Sequence, residues 1–139
     1  MKIALDTNVI ISLVKERKLD LFVSKYDACA PVVVEYEYIR GETKAGIDIN
    51  ESKETFENTF EILELNNESV KIASKIWSEL SKKGRLIDER DLLIGAICIA
   101  HNVPLWTLNI SHFLRLLDFG LVLVEIDLNT LKIIKIHKK

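Results

Sequence analysis

Apolar residues run without a break through Ile3-Ala4-Leu5 and then recur at helical spacing as Val9, Ile10, Leu13 and Val14. A continuous run followed by a 3.6-residue period predicts a buried strand over Lys2–Leu5 and a helix from Asn8 to about Lys15. A second short helix is expected around Leu19–Lys25, and a second strand over Asp27–Ala30. Pro31 suits the first turn of a further helix reaching Arg40, which Gly41 is expected to end. Phe56 and Phe60 recur at helical spacing beside the charged stretch Glu51–Glu57, and Glu61–Leu65 alternates as a third strand.

In the second half, Asn67 is expected to cap a long amphipathic helix through Lys83, with Val70, Ala73, Ile76, Trp77 and Leu80 on one face and Gly84 as its stop. Asp88 caps the most apolar helix, Leu92 to about His101, whose Gly95, Ala96 and Ala100 permit close approach to a sheet. Pro104–Leu108 reads as a fourth strand, Ser111–Leu117 as a turn-helix and Leu121–Ile126 as a fifth strand. Leu131–Ile136 reads as a last strand, pairing antiparallel at an edge. Strands alternating with helices predict an α/β fold: a doubly wound, mostly parallel sheet of about five strands with helices on both faces.

The 139 residues form one domain, 1–139, and at 48% hydrophobic content disorder is not expected. Apolar stretches are broken by charge before they reach membrane-spanning length, and no cleavable signal pattern is seen, so a cytoplasmic protein without a membrane partner is expected. Cys29 and Cys98 lie far apart in apolar context and read as buried thiols rather than a disulfide framework. With a net charge of −2, any binding of nucleic acid must use local basic patches or bound metal.

Candidate chemistry gathers at four positions. Asp6 follows the first strand, Glu37 lies on the helix after the second, Asp91 opens the apolar helix, and Asn109 follows the fourth strand. In a parallel sheet three of these points share one edge, and Glu37 reaches it from its helix. Alone, Asp6 is either a helix cap or a ligand. Asp88 and Asp91 have the spacing of a capping box, which favours Asp88 as the cap. Glu35 and Glu37 point about 200° apart on a helix, so only one of them faces a cleft. His101 and His112 read as helix-terminal or surface residues, and Trp77 and Trp106 as core.

Four stretches together resemble the PIN-domain ribonucleases, with their 5′-nuclease-like fold, and are most similar to the VapC-type toxins of toxin–antitoxin pairs. They are Leu5-Asp6-Thr7-Asn8, Glu37-Tyr38-Ile39-Arg40-Gly41, Asp91-Leu92-Leu93-Ile94-Gly95-Ala96 and Thr107-Leu108-Asn109-Ile110-Ser111-His112-Phe113, in the family's order. The resemblance implies an Mg²⁺- or Mn²⁺-dependent endonuclease acting on RNA. Asp6, Glu37 and Asp91 would be catalytic. Asp6 and Asp91 would hold the metal, and Glu37 would complete the acidic cluster as a water-orienting base or as a ligand through water. Gly41 sets the register that selects Glu37, leaving Glu35 solvated. Thr7 would hold the first carboxylate from behind, with Asp88 next to the second.

The fourth family position is often acidic and here is Asn109, a weaker magnesium ligand than a carboxylate, so one firm ion is expected. Lys82, Lys83, Arg85 and Arg90 either flank the cleft and hold RNA phosphates or form a solvated loop. The family pattern also implies a homodimer and a protein antitoxin. The apolar set Ile10, Ile11, Val14, Phe22, Val33 and Tyr36 exceeds what one sheet face needs and fits such a partner. A catalytically weak PIN-like module that binds RNA or protein is the rival reading, favoured by Asn109. A phosphoryl-transfer receiver or phosphatase is disfavoured, because Asn8 stands where a second aspartate would be needed.

Overall fold

In the computed structural model, which describes residues 1–139, the first strand β1 (Lys2–Leu5) lies at the middle of a six-stranded sheet. It is flanked by β2 (Asp27–Pro31) on one side and by β4 (Leu105–Trp106) on the other, both parallel to it. β3 (Glu61–Leu63) pairs in parallel outside β2, and β5 (Leu123–Ile126) outside β4. β6 (Ile133–His137) closes the order β3-β2-β1-β4-β5-β6 as an antiparallel edge strand. The chain thus winds outward from β1 to β3, then returns to the opposite side of β1. That reversal makes the carboxyl ends of β1 and β4 a switch point, where open α/β sheets place their ligands.

Seven helices connect the strands: α1 (Thr7–Lys15), α2 (Leu19–Lys25), α3 (Val32–Lys44), α4 (Ile49–Thr59), α5 (Asn67–Lys82), α6 (Glu89–His101) and α7 (Ile110–Phe113). A 3₁₀ segment, Leu114–Phe119, follows the last of them. Ile3, Ala4 and Leu5 are all fully buried although successive strand residues point to opposite faces, so both faces of the sheet are covered. Trp106 stacks near Phe22 with ring centroids 5.4 Å apart, joining β4 to α2. Phe56 lies between Phe60 and Tyr38, at 4.8 and 5.5 Å, and fixes α4 against α3.

Several expectations are corrected. Gly41 does not end α3. Its backbone is not in the left-handed region, and the helix continues to Lys44 and stops at Gly46, whose φ is +96°. Pro31 closes β2 and precedes the helix rather than opening its first turn. The cap of α5 is Asn66, not Asn67: its side-chain oxygen accepts from the Ser69 N–H at 2.9 Å. β4 is only two residues long, because the chain turns at Thr107 to build the site described below. The last strand begins at Ile133, since Leu131 sits at φ 58° in a turn held by Asp127 Oδ1, which accepts from the N–H groups of Asn129 and Thr130.

Trp77 is half exposed, as is Val70, while Ala73, Ile76 and Leu80 of the same helix are buried. Of the apolar set on the first three helices, Ile10 and Phe22 belong to the core, whereas Ile11, Val14 and Tyr36 are exposed. Both cysteines are buried and free, and burial pushes the Cys29 thiol up to about 12, so it stays protonated and unreactive at neutral pH. No helix is long and apolar enough to cross a membrane.

Candidate active site

β1 ends in the fully buried Asp6, whose extended backbone turns the chain into α1. Its Oδ1 accepts from the Thr7 N–H at 2.7 Å, so Asp6 does cap the helix. Its other oxygen, Oδ2, accepts from the Thr107 hydroxyl at 2.7 Å, across the switch point between β1 and β4. Thr107 in turn accepts from the Asn109 N–H at 3.1 Å, and the Asn8 side chain accepts from the Leu108 N–H at 3.3 Å. The two strand ends are therefore tied together by hydroxyl and amide groups, and the Asp6 carboxylate is oriented rigidly by its neighbours.

Glu37 projects from α3 to the same point. Its Oε1 accepts from the Thr7 hydroxyl at 2.7 Å. Asp91 arrives from the first turn of α6, where a carboxylate is favoured by the helix dipole. Its side chain is 9% exposed, and burial raises its pKa, opposed by Arg90 and reinforced by the nearby Asp88. Asp88 itself is the helix cap, accepting from the Arg90 N–H at 2.9 Å.

The three carboxylates meet on one cation, the Arg90 guanidinium. Nη2 donates to Asp6 Oδ1 at 2.5 Å, Nε to Glu37 Oε2 at 2.5 Å and Nη1 to Asp91 Oδ1 at 2.9 Å. Burial disfavours the charge on Arg90, but Glu37 and Asp6 outweigh it and hold the arginine pKa above its ordinary value. Three carboxylates against one guanidinium leave two negative charges unmatched, the charge of one divalent cation.

Hard carboxylate oxygens are the donors that Mg²⁺ and Mn²⁺ prefer, so the chemistry of the set fits such an ion. No group of three acidic, histidine or cysteine side chains stands arranged as a metal cage; Asp6, Glu37 and Asp91 are each paired with the guanidinium.

The remaining expected residues fall into two groups. Thr7 does hold the cluster from behind, through both its N–H and its hydroxyl. Asn109 is exposed, and its side-chain amide makes no hydrogen bond to the carboxylates; only its backbone joins the network, through Thr107. Lys82, Lys83 and Arg85 are exposed and make no contact with the cluster; Lys83 and Arg85 lie near Asp118 instead.

Glu35, expected to be solvated, is 5% exposed, because α4 packs over it and brings Lys53 Nζ to 3.5 Å. Sequence reasoning assigned no role to Thr107, although a hydroxyl directly after a strand parallel to β1 is the available signal. It also missed the inward fold of Arg90, and His112, whose Nδ1 stands 3.6 Å from Asp91 Oδ2.

Comparison with known proteins agrees with this architecture. The family model described as PIN domain matches residues 3–116. Ribonuclease VapC1 of Methanocaldococcus jannaschii is 36% identical over 129 residues, covering 89% of this chain and 88% of that protein. Among solved structures, VapBC-1 from nontypeable Haemophilus influenzae superposes with a TM-score of 0.70 at 28% identity, covering 85% of this chain and 94% of that one. VapBC2 from Rickettsia felis, bound to a DNA fragment from its promoter, gives 0.67 at 25% identity, covering 83% of this chain and 92% of that one.

Proposed function

This chain belongs to the PIN domain family, and from that premise we propose that it is a metal-dependent endoribonuclease, the toxin half of a toxin–antitoxin pair. One observation carries the reading: the carboxylates of buried Asp6 and Asp91 and of half-buried Glu37 come from three separate elements onto one guanidinium at the switch of the sheet. Bringing three like charges together is costly, and the single guanidinium of Arg90 offsets one of them. The similarity to proteins named ribonuclease VapC supports RNA as the substrate.

In this reading Asp6 and Asp91 hold an Mg²⁺ or Mn²⁺ ion. The chemistry such an ion would supply there is Lewis-acid polarisation of a phosphoryl oxygen and a more acidic water. The chain's own groups do the positioning. Thr7 and Thr107 fix both oxygens of Asp6, so that this carboxylate keeps one orientation. Glu37, itself steadied by the Thr7 hydroxyl, orients the attacking water and takes its proton on a carboxylate oxygen.

The proposal extends to partners: a protein antitoxin that covers the cleft, and a second copy of this chain, all in the cytoplasm. The relatives' VapC and VapBC names support the first, and the exposed Ile11, Val14 and Tyr36 on the adjacent helices α1 and α3 supply an apolar face for it.

The test is cleavage of single-stranded RNA by the purified protein with Mg²⁺ or Mn²⁺. Cleavage that stops with EDTA and returns with added metal supports the reading. No cleavage of any RNA with either metal contradicts it and leaves a PIN-like binding module.

A further inference from the structure

Arg90 has no place in the proposed chemistry, yet it is the most heavily bonded side chain in the site. We infer that Arg90 is an exchangeable occupant of the acidic pocket: without metal its guanidinium holds the carboxylates together, and a divalent ion enters by displacing it.

The oxygen inventory leads to this exchange. Asp6 Oδ1 is shared by the Thr7 N–H and Arg90, and Oδ2 is taken by Thr107. Glu37 has one oxygen on Thr7 and the other on Arg90. Only Asp91 Oδ2 has no donor within hydrogen-bonding distance, His112 being 3.6 Å away. Arg90 thus sits on one oxygen of each of the three carboxylates, and an ion that takes those oxygens has to displace it. The threonine bonds are compatible with metal binding, since a carboxylate oxygen that accepts from a hydroxyl behind it still presents a lone pair in front. The guanidinium bonds compete with it, because they hold one oxygen of every carboxylate in the cluster.

Arg90 is also built to leave. Its side chain is 30% exposed, whereas those of Asp6 and Asp91 are 0% and 9% exposed, so it forms the outer wall of the cluster. Its backbone is anchored by the Asp88 cap, which keeps the displaced guanidinium tethered at the mouth. The charge mismatch points the same way. A purely structural pair would match its charges, whereas here two negative charges remain for a stronger cation to claim.

The inference rests on the metal-dependent reading of this site, and its tests separate the two. Isothermal titration with Mn²⁺ alone compares the parent with Arg90→Met and Arg90→Lys. A pocket filled by its own occupant binds an ion with an affinity reduced by the fraction of time it is open, so Arg90→Met is expected to bind Mn²⁺ roughly tenfold tighter or better. Arg90→Lys, which cannot fork across three carboxylates, should fall between the two. Equal or weaker Mn²⁺ binding by a folded Arg90→Met overturns the exchange.

The parent supplies a second readout that needs no stable variant beyond Arg90→Lys for assignment. The Arg90 Nε–H resonance should be slow to exchange with water before Mg²⁺ is added, and should lose that protection as Mg²⁺ saturates the protein. A protected resonance at saturating Mg²⁺ overturns the proposal. Tighter Mn²⁺ binding by Arg90→Met from a protein that never cuts RNA keeps the exchange and removes the nuclease reading. Equal binding with RNA cleavage does the reverse, and no Mn²⁺ binding by either protein contradicts both.

Discussion

The Thr107 hydroxyl, at the end of β4, donates to Asp6 Oδ2, at the end of β1, at 2.7 Å, with both residues buried. This bond spans the one gap in the sheet where the chain reverses its winding. It converts a topological feature into a fixed carboxylate. Thr107→Val keeps the shape and removes the donor, leaving a buried carboxylate oxygen unsatisfied. The expected cost is about 1–3 kcal/mol of stability, read from urea unfolding. RNA cleavage should fall as well, and Thr107→Ser should restore both. A valine variant as stable and active as the parent would show that Asp6 needs no such support.

Glu35 gives a pH dependence with a definite sign. Burial is the largest cause raising its pKa, followed by the hydrogen bond with Glu57, and Lys53 opposes both. A raised acid pKa means the native state binds more protons than the unfolded state between the ordinary glutamate value and the raised one. Stability is therefore lost as the pH rises through that window. Glu35→Gln removes the loss. Its unfolding midpoint should exceed the parent's at pH 8, with the gap narrowing towards pH 4. An unchanged difference across that range would contradict the assignment.

The two tryptophans should behave oppositely. Trp106 is 1% exposed, and Trp106→Ala is expected to cost about 3–5 kcal/mol. Trp77 is 52% exposed, and Trp77→Ala should cost about 1 kcal/mol or less in the monomer. Denaturant midpoints of the two variants decide this, and equal losses would place Trp77 in the core after all.

The tryptophans also show what was legible in the sequence. Val70 and Trp77 are seven residues apart, so they share one edge of the apolar stripe of α5. A stripe wider than the face it packs against leaves its edge in solvent, and periodicity alone does not give that width. Short elements with clear punctuation were readable: α2 spans Leu19–Lys25 as expected, and Asp88 caps α6.

Gly41 misled because glycine is tolerated inside a helix when neighbours sustain it. Here Glu42 on α3 accepts from the Ser52 hydroxyl of α4 at 2.5 Å, a long-range contact that no local pattern announces. In the site, a strand end and a helix start place Asp6 and Asp91, whereas Glu37 lies inside α3 and was singled out from Glu35 only by the family register at Gly41. Arg90 was not placed, because a long flexible side chain next to a cleft can turn outward to solvent or inward to acid. Only the three-dimensional arrangement of its partners decides which.

Whether these carboxylates form a metal-dependent nuclease centre is decided by single-turnover cleavage of a short single-stranded RNA at saturating Mn²⁺, comparing the parent with Asp6→Asn. Asparagine keeps the helix cap and nearly the same shape, so the fold is expected to persist, which circular dichroism checks. A rate loss of about 10²-fold or more is expected. A folded Asp6→Asn that cuts RNA as fast as the parent would contradict it.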